Sequence, residues 1–319
     1  MAPAGKEEEE DEVPVEMLYD LLHKPTSTFD DDLSQRDRDT SRTSQVESSG
    51  VPRYLTSIIS SSLKWLAEDE QERVWEVASR CLSERAGRSA APPMTRSFRI
   101  NDVLSLNLHE PSLTEDSLGL KTWTSSLLLS RRLAALSKHL PSGSPRILEL
   151  GSGTGLVGLA AASVWQSNIS EVMLTDLPEI VPNLQKNIEL NEHLLPDGNP
   201  RVHSRILDWT DISDVPNNVD QAYPLILAAD PIYSPEHPRL LVDTVRRWLK
   251  SAPNSRFIIE LPRRDAYAKE RQDLKQRLEA FMDVIEEGKE VGYDDWETAD
   301  GRPAEVECWW SVWQLKGAG

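Results

Sequence analysis

One segment of the chain, residues 149–158 with the sequence ELGSGTGLVG, most constrains how it folds. Residues 149 and 150 are the last two of an apolar run over residues 146–150. A helical apolar pattern over about residues 156–165 begins before the segment ends. Glycine tolerates backbone conformations that other residues avoid, which suits a tight turn that approaches a ligand closely. The helix N-terminus behind such a turn favours a polar or anionic group. The segment therefore predicts a buried strand, a ligand-binding turn and a helix in succession.

The same alternation of strand and helix continues after this segment. The candidate strands are residues 146–150, 171–175, 201–206, 225–229 and 256–261. Helical patterns lie between most of them, near residues 156–165, 180–191 and 239–250. Such alternation is typical of a parallel sheet with helices on both faces. After a helix near residues 265–282, the segments 284–292 and 306–315 predict a closing hairpin with a long loop at the sheet edge.

The sequence upstream of the glycine-rich segment predicts three parts. Residues 1–50 hold fourteen Asp or Glu against five Lys or Arg and little apolar surface, which predicts an acidic, mostly disordered tail. Residues 51–95 predict a helical appendage and a linker, because apolar residues recur at helical spacing before a Pro-containing stretch. The main domain is expected over residues 96–319, and it opens with a β-hairpin that turns near Asn101 and a helix over residues 124–140.

Composition narrows the partners and the compartment. The formal net charge is −18, and basic surfaces are what bind nucleic acids and anionic membranes, so we expect neither partner. No stretch approaches the roughly 18 consecutive apolar residues that indicate a transmembrane helix. The acidic N-terminus is not typical of a secretory or transit signal. Two distant cysteines, Cys81 and Cys308, suggest a reducing compartment, and the histidines show no metal-ligand spacing. We expect a cytoplasmic monomer without a metal site.

The glycine-rich turn leaves two kinds of ligand open. Gly153, Gly155 and Gly158 match the Gly-x-Gly-x-x-Gly spacing of dinucleotide-binding turns. Glu149, however, stands at the strand end, where its carboxylate would repel a pyrophosphate. The same carboxylate suits a cationic ligand such as S-adenosylmethionine, which carries a sulfonium and an α-amino group. A tight turn that binds no ligand is the third alternative.

Acidic residues also follow the next two predicted strands. Asp176 ends the second strand, where a carboxylate accepts hydrogen bonds from the ribose hydroxyls of a nucleotide. Asp208 and Trp209 follow the third strand, and an acceptor beside a flat indole suits an adenine ring. NAD and S-adenosylmethionine both carry a ribose, so Asp176 does not separate them. Helix capping by Asp176 and core packing of Trp209 are the simpler alternatives.

A fourth polar element, Asp230-Pro231-Ile232-Tyr233, follows the strand that ends at Ala229. Ligands of open α/β sheets bind beyond the carboxyl ends of the strands. Asp230 and Tyr233 are therefore expected where a substrate meets the cofactor. A capping aspartate and a packed tyrosine are the alternative.

These elements together resemble a known family. Residues 96–315 look like the seven-β-strand, class I, S-adenosylmethionine-dependent methyltransferases, and within them the methyltransferase-like protein-lysine methyltransferases. The resemblance rests on the GLKTW string that ends at Trp123, the loop 149–155, Asp176, Asp208-Trp209 and the Asp-x-x-Tyr element. The string DPIYSPEHP is similar to the fungal branch that acts on translation elongation factors, notably elongation factor 2. Pro231 departs from the pattern, because many relatives have a small branched residue there.

The resemblance implies a fold, a cofactor and a set of roles. The fold is α/β, a Rossmann-like, seven-stranded, doubly wound sheet with an antiparallel last strand, beside the N-terminal helical appendage. The cofactor is S-adenosylmethionine, and the partner is a protein substrate, with an elongation factor expected. The implied cofactor-binding residues are Trp123, Glu149, Gly151, Ser152, Gly153, Gly155, Asp176, Asp208, Trp209 and Ala229. The implied catalytic residues are Asp230, which would bind the incoming lysine ammonium, and Tyr233, which would orient its nitrogen.

Two other functions remain open from the sequence. A nicotinamide-dependent oxidoreductase accounts for the glycines and Asp176 but leaves Glu149, Asp208-Trp209 and residues 230–233 without a role. A non-catalytic protein-binding module on the same fold accounts for the acidic tail, although an intact glycine-rich loop argues against it. Fold alone does not decide among these functions. The acceptor of the lysine proton, water or Asp230, also stays open.

Overall fold

The computed structural model describes residues 93–111, 118–195, 199–297 and 303–317, with scattered residues between 58 and 78. The chain forms two compact units, Met1–Pro92 and Pro93–Gly319. In the first unit, Ile58, Val74 and Ala78 are helical and buried. These positions belong to the predicted helical pair. Most of the other apolar positions of that helical pair lie outside the described residues. The predicted tail, residues 1–50, lies entirely outside them.

The second unit opens with a small antiparallel sheet of two strands, β1 (Met94–Arg99) and β2 (Ser105–Glu110). Asn101 closes the turn between them, because its Oδ1 accepts hydrogen bonds from the N–H groups of Val103 and Leu104. Asparagine side chains favour such turns by bonding the backbone two residues ahead. The predicted hairpin and its turn are confirmed.

A seven-stranded sheet forms the centre of this unit. Its strands are β3 (Arg146–Leu150), β4 (Glu171–Asp176), β5 (Arg201–Ile206), β6 (Leu225–Ala229), β7 (Arg256–Pro262), β8 (Met282–Glu297) and β9 (Pro303–Leu315). Their spatial order is β5-β4-β3-β6-β7-β9-β8. Strands β3 to β7 pair in parallel, whereas β9 runs antiparallel to both β7 and β8. The predicted sheet with an antiparallel last strand is confirmed.

Helices cover both faces of the sheet. They are α1 (Thr124–Leu136), α2 (Leu156–Val164), α3 (Val181–Leu190), α4 (His237–Trp248) and α5 (Ala268–Glu279). Apolar residues of α1, α2 and α3 share one core cluster, and those of α4 and α5 share the other. The central strand β6 reads LILAA and is buried throughout, as expected of a parallel strand covered on both sides. None of the described helices is long and apolar enough to cross a membrane.

The closing hairpin differs in one detail from its sequence-based prediction. The predicted long loop between the last two strands is wrong, because pairing continues through Tyr293 with Glu305 and Asp294 with Ala304. Strand β8 forms the edge of the sheet, and β9 lies between β7 and β8. The acidic residues near the end of β8 interrupt the apolar alternation from which a strand is predicted. The extension matters for the site, since it brings Asp294 into the domain interior, where it is 4% exposed.

Candidate active site

The carboxyl ends of the parallel strands meet along one edge of the sheet. The chain runs from β3 through β4 to β5 and then returns to β6 on the other side of β3. Connections therefore leave β3 and β6 in opposite directions, which opens the crevice where α/β proteins bind ligands. The residues that close or follow these strands include Gly151, Asp176, Asp208 and Asp230. The topology brings the predicted elements to one crevice.

The glycine-rich turn packs too tightly for side chains at several positions, among them Gly153 and Gly158. Gly153 has a φ of +55°, and a Cβ there would lie 2.9 Å from the carbonyl oxygen of Gly119. Gly158 lies inside α2, where a Cβ would lie 1.9 Å from Leu174 Cδ2 and 2.6 Å from Glu149 Oε2. The first glycine is required by backbone conformation and the second by packing. The glycine spacing is thus explained by the fold itself, whichever nucleotide binds.

Ser152 joins the turn to the neighbouring strand. Its N–H donates to the Thr175 carbonyl oxygen at 2.9 Å, and its Oγ accepts from the Thr175 N–H at 3.0 Å. The two bonds extend the β3–β4 pairing into the turn. A ligand in the crevice therefore meets a turn whose backbone is already held in place.

The Glu149 carboxyl group is 2% exposed and points into the turn. Its Oε2 accepts a hydrogen bond of 2.9 Å from the Gly158 N–H, in the first turn of α2. Burial raises the pKa of this carboxyl to about 8, against the opposing effect of that hydrogen bond. The residue therefore holds the turn together, and its role toward a cationic ligand stays a prediction.

Asp176 bridges the turn and the end of β4. Its Oδ2 accepts from the Gly153 N–H at 2.7 Å, and its Oδ1 accepts from the Leu177 N–H at 2.8 Å. Burial raises the pKa of the Asp176 carboxyl to about 6. Each carboxylate oxygen has a further lone pair, so the side chain retains acceptor capacity for the predicted ribose hydroxyls.

Trp209 and Asp208 follow β5 and have different surroundings. The half-buried Trp209 indole lies over Gly151, where a Cβ would come 3.4 Å from the indole Cζ2. Asp208 Oδ1 accepts hydrogen bonds from the N–H and the hydroxyl of Thr210, at 2.8 and 2.7 Å. The indole thus forms an apolar surface beside the turn, as an adenine-binding role requires. One oxygen of Asp208 is engaged in its own turn.

Asp230 occupies a strained position at the end of β6. It follows the buried Ala229 and has a φ of +52°, a conformation uncommon for residues other than glycine. Its N–H donates to the Glu260 carbonyl oxygen at 3.0 Å, which fixes the residue against β7. Burial raises the pKa of its carboxyl to about 6, although the charge of Arg264 opposes this. Strain of this kind is often found at functional sites.

Tyr233 lies at the mouth of the crevice and is 46% exposed. Its ring meets the edge of the His237 imidazole at a centroid distance of 4.2 Å, and His237 also lies 6.0 Å from the Trp209 ring. Burial raises the pKa of the Tyr233 phenol, and the charges of Asp176 and Asp230 raise it further. Tyr233 is therefore close enough to both carboxylates to feel their charge. His237, the first residue of α4, is half-buried between two site aromatics.

Trp123 precedes α1 and carries a cation on its ring. The Lys121 Nζ lies 4.2 Å from the centroid of the Trp123 ring, and the Arg264 guanidinium carbon lies 5.0 Å from it. Arg264 also donates to Asp294 at 2.8 Å. No role in the site was predicted from the sequence for Lys121, Arg264 or Asp294. The available signal for Arg264 was its place directly after a parallel strand.

The site as a whole is lined by carboxyl groups. Glu149, Asp176 and Asp230 come from three different strands, and burial raises the pKa of each. A buried acidic group is stabilised as an anion by an incoming cation, whereas a pyrophosphate would disfavour its ionisation further. Among the described residues, no three His, Cys, Asp or Glu side chains form a group suited to a metal ion. The sheet order, with one antiparallel strand between β7 and the edge, is that of the class I methyltransferase architecture.

The chain belongs to the lysine methyltransferase family, whose sequence model matches residues 100–287. It is 41% identical to protein-lysine N-methyltransferase EFM2 of Saccharomyces cerevisiae over 266 residues, which cover 76% of this chain and 61% of that protein. It is 34% identical to protein-lysine N-methyltransferase rrg1 of Schizosaccharomyces pombe, over 84% of this chain and 86% of that one. EEF1A lysine methyltransferase 3 of Mus musculus is 32% identical over 43% of this chain and 56% of its own length.

The chain thus spans less than two thirds of the budding-yeast relative and most of the fission-yeast one. The predicted family is confirmed. Membership favours methyl transfer over the nicotinamide-dependent alternative. It does not by itself decide the substrate or the role of each residue in the crevice.

Proposed function

We propose that this chain is a protein-lysine N-methyltransferase that uses S-adenosylmethionine. The observation that carries the proposal is that carboxyl groups lie on both sides of the crevice, at the glycine-rich turn and at the acceptor position. Glu149 and Asp176 line the turn side of the crevice, and Asp230 lies across the switch point on β6. A cationic cofactor and a cationic substrate side chain both fit such surroundings.

The residues of the turn suit S-adenosylmethionine better than a dinucleotide. Asp176 retains acceptor lone pairs for the ribose, and the Trp209 indole offers an apolar face for the adenine. The buried Glu149 lies behind the turn, where a sulfonium and an α-amino group would lower its pKa from about 8. Trp123, which already carries Lys121 on its ring, would close the site above the turn.

Alignment and proton removal are the tasks left to the chain. When bound, S-adenosylmethionine would supply a methyl group that its sulfonium activates for transfer to a lysine nitrogen. A free lysine has a pKa of about 10.4 and is mostly protonated at neutral pH. Asp230 binds the incoming ammonium, and the exposed Tyr233 ring orients its nitrogen at the mouth of the crevice. The proton leaves to Asp230 or to water before the nitrogen reacts.

We further propose a translation elongation factor as the substrate, with elongation factor 2 the first candidate. The support is the DPIYSPEHP string at the acceptor side of the site and a relative whose name gives EEF1A as its substrate. Translation factors work in the cytoplasm, which agrees with the sequence-based expectation of a cytoplasmic enzyme. We expect the enzyme to act as a monomer.

A methylation assay with matched variants tests the proposal. The full chain is incubated with radiolabelled S-adenosylmethionine and purified elongation factor 2, and the modified residue is identified by mass spectrometry. Asp230→Asn keeps the shape of the side chain and tolerates its positive φ, so cofactor affinity should persist while transfer falls by about 100-fold or more. Asp243→Asn is the control, because Asp243 is an exposed α4 residue paired with Arg239.

The outcomes separate the parts of the proposal. Calorimetric binding of NADH in place of S-adenosylmethionine would contradict the cofactor. In a parallel assay on a cell lysate, label at a lysine of a protein other than an elongation factor would contradict only the substrate. Full transfer by Asp230→Asn would contradict the assignment of the acceptor carboxylate. Tyr233→Phe should retain most activity if the ring orients the amine, whereas Tyr233→Ala should not.

A further inference from the structure

A cation follows β7, the strand that pairs with β6 and so neighbours the acceptor residue Asp230. Arg264 follows β7, and its Nη2 donates a hydrogen bond of 2.8 Å to Asp294 Oδ2 on the edge strand. The Arg264 guanidinium also lies over the Trp123 ring, at 5.0 Å from its centroid. The Arg264 side chain is 30% exposed, and that of Asp294 is 5% exposed. This ion pair is therefore largely desolvated.

Three elements hold Arg264 in place. The second oxygen of Asp294 accepts a hydrogen bond from the Thr124 hydroxyl, so the ion pair is connected to the first residue of α1. The Arg271 guanidinium of α5 donates to the Arg264 carbonyl oxygen. Strand β8, helix α1 and helix α5 thus converge on one residue. Burying an ion pair costs free energy that its own attraction often does not offset, so such a pair tends to have another purpose.

The preceding residue provides a direct contrast. Arg263 pairs with Glu307, and both side chains are about two-fifths exposed, at 42% and 41%. Surface pairs of this kind contribute little to stability and do not set the charge of a buried site. Adjacent arginines of the same charge therefore differ in burial and in partner. Arg263 is a matched control for Arg264.

Asp230 faces several groups that decide its charge. Its carboxyl feels the charge of Arg264, which lowers its pKa, and that of Asp294, which raises it. Burial raises the pKa of the Tyr233 phenol and of the Cys308 thiol on β9, and the charge of Asp230 raises each of them further. Arg264 is the cation among these groups. Without it, burial and Asp294 would both favour the protonated acid.

The same charge has a second effect, on the substrate. Methyl transfer requires a neutral amine, and a fixed cation near an ammonium lowers its pKa. An ammonium bound at Asp230 would lie near the Arg264 guanidinium as well. Asp230 then attracts the substrate, and Arg264 favours the loss of its proton.

We propose that Arg264 is a positioning residue that sets the charge of the acceptor site, holding Asp230 as the anion and favouring the deprotonated substrate amine. The inference rests on the proposed lysine methyltransferase function and deepens it. Asp294 orients Arg264 and moderates its charge. The two residues therefore act on Asp230 with opposite signs.

Titration of Asp230 tests the inference without any substrate. The full chain is labelled with ¹³C at aspartate carboxyls, and the Asp230 signal is assigned from its loss in Asp230→Asn. We expect its pKa to rise in Arg264→Gln, to stay in Arg263→Gln and to be largely restored in Arg264→Lys. Asp294→Asn removes the anion but leaves the arginine, so the pKa of Asp230 should fall. A purely structural disturbance would move the pKa in the same direction in Arg264→Gln and Asp294→Asn.

The pH profile of methyl transfer gives the second measurement. The acidic limb of kcat/KM should move to higher pH in Arg264→Gln, and kcat/KM below that limb should fall about tenfold for every pH unit by which the limb moves. If the wild-type enzyme is active and Arg264→Gln changes neither the pKa of Asp230 nor the pH profile, the role of Arg264 is overturned. The proposed methyltransferase function would then still stand. A wild-type protein that binds the cofactor but methylates no lysine would overturn the proposed function, and this inference with it. If Arg264→Gln fails to fold, the fall in the pKa of Asp230 expected in Asp294→Asn still decides.

Discussion

The backbone N–H of Gly158 donates a hydrogen bond of 2.9 Å to Oε2 of Glu149, a carboxyl group that is 2% exposed. A strand end and a helix first turn are thereby joined beneath the glycine-rich loop. A carboxyl so buried has a pKa of about 8, so it is mainly protonated at neutral pH before a ligand arrives. The Glu149 carboxyl group therefore both links β3 to α2 and offers a site for a cation.

Glu149 should make stability depend on pH. Its folded pKa of about 8 lies above the usual value of 4.5, so the folded state binds more protons between these values. Its contribution is therefore fully present below pH 4.5 and is lost as the pH rises toward 8, at up to about 1.4 kcal/mol per pH unit. Glu149→Gln should flatten this decline. Urea unfolding at a series of pH values measures it, and parallel curves for both proteins would contradict the pKa.

Gly158→Ala should destabilise the domain although alanine favours helices. The added Cβ would lie 1.9 Å from Leu174 Cδ2 and 2.6 Å from Glu149 Oε2, so both must shift. We expect a loss of about 1–3 kcal/mol in the free energy of unfolding, as for other overpacked interiors. Ser163→Ala in the same helix is the control, because Ser163 is only partly buried and bonds to its own helix. Equal stability of the two variants would show that the packing relaxes freely.

Trp209→Ala should weaken cofactor binding more than it weakens folding. Its half-buried indole lies over Gly151, and stacking on an aromatic ring contributes about 1–3 kcal/mol to the binding of a base. Calorimetry should show a loss in S-adenosylmethionine affinity of about tenfold or more. Trp309→Ala, whose indole donates to Glu287 on the edge strand, is the control and should bind normally. Unchanged affinity in Trp209→Ala would place the adenine elsewhere.

Deletion of residues 1–50 should leave cofactor binding unchanged. This segment carries fourteen acidic and five basic residues, so its effect on a protein substrate should be electrostatic. We expect the deletion to reduce the salt dependence of substrate capture, which is measured as KM over a range of ionic strength. Loss of cofactor binding would instead mean that the domain begins before residue 96.

Local pattern was sufficient for most of the elements. The segments that became β3, β5 and β6 were predicted with the bounds that the structure has. Strands β3 and β6 are buried and largely apolar, as parallel strands covered on both faces usually are, whereas β5 has the polar sequence RVHSRI and is largely exposed. Strand β8 was predicted too short, because its last residues are acidic and an edge strand does not need an apolar pattern. Its true length is what brings Asp294 to Arg264.

Patterns along the chain were enough to predict the order of strands and helices, the glycine-rich turn and the family. They also indicated which strand ends carry acids, because parallel strands all end at one edge. The surroundings of each carboxyl group became visible only in the folded chain: Glu149 accepts from the first turn of α2, Asp208 accepts from its own loop, and the pKa of Asp230, which burial raises, is lowered by an arginine that Asp294 holds. Those surroundings depend on burial and charge contributed by residues distant in sequence, which no local pattern contains.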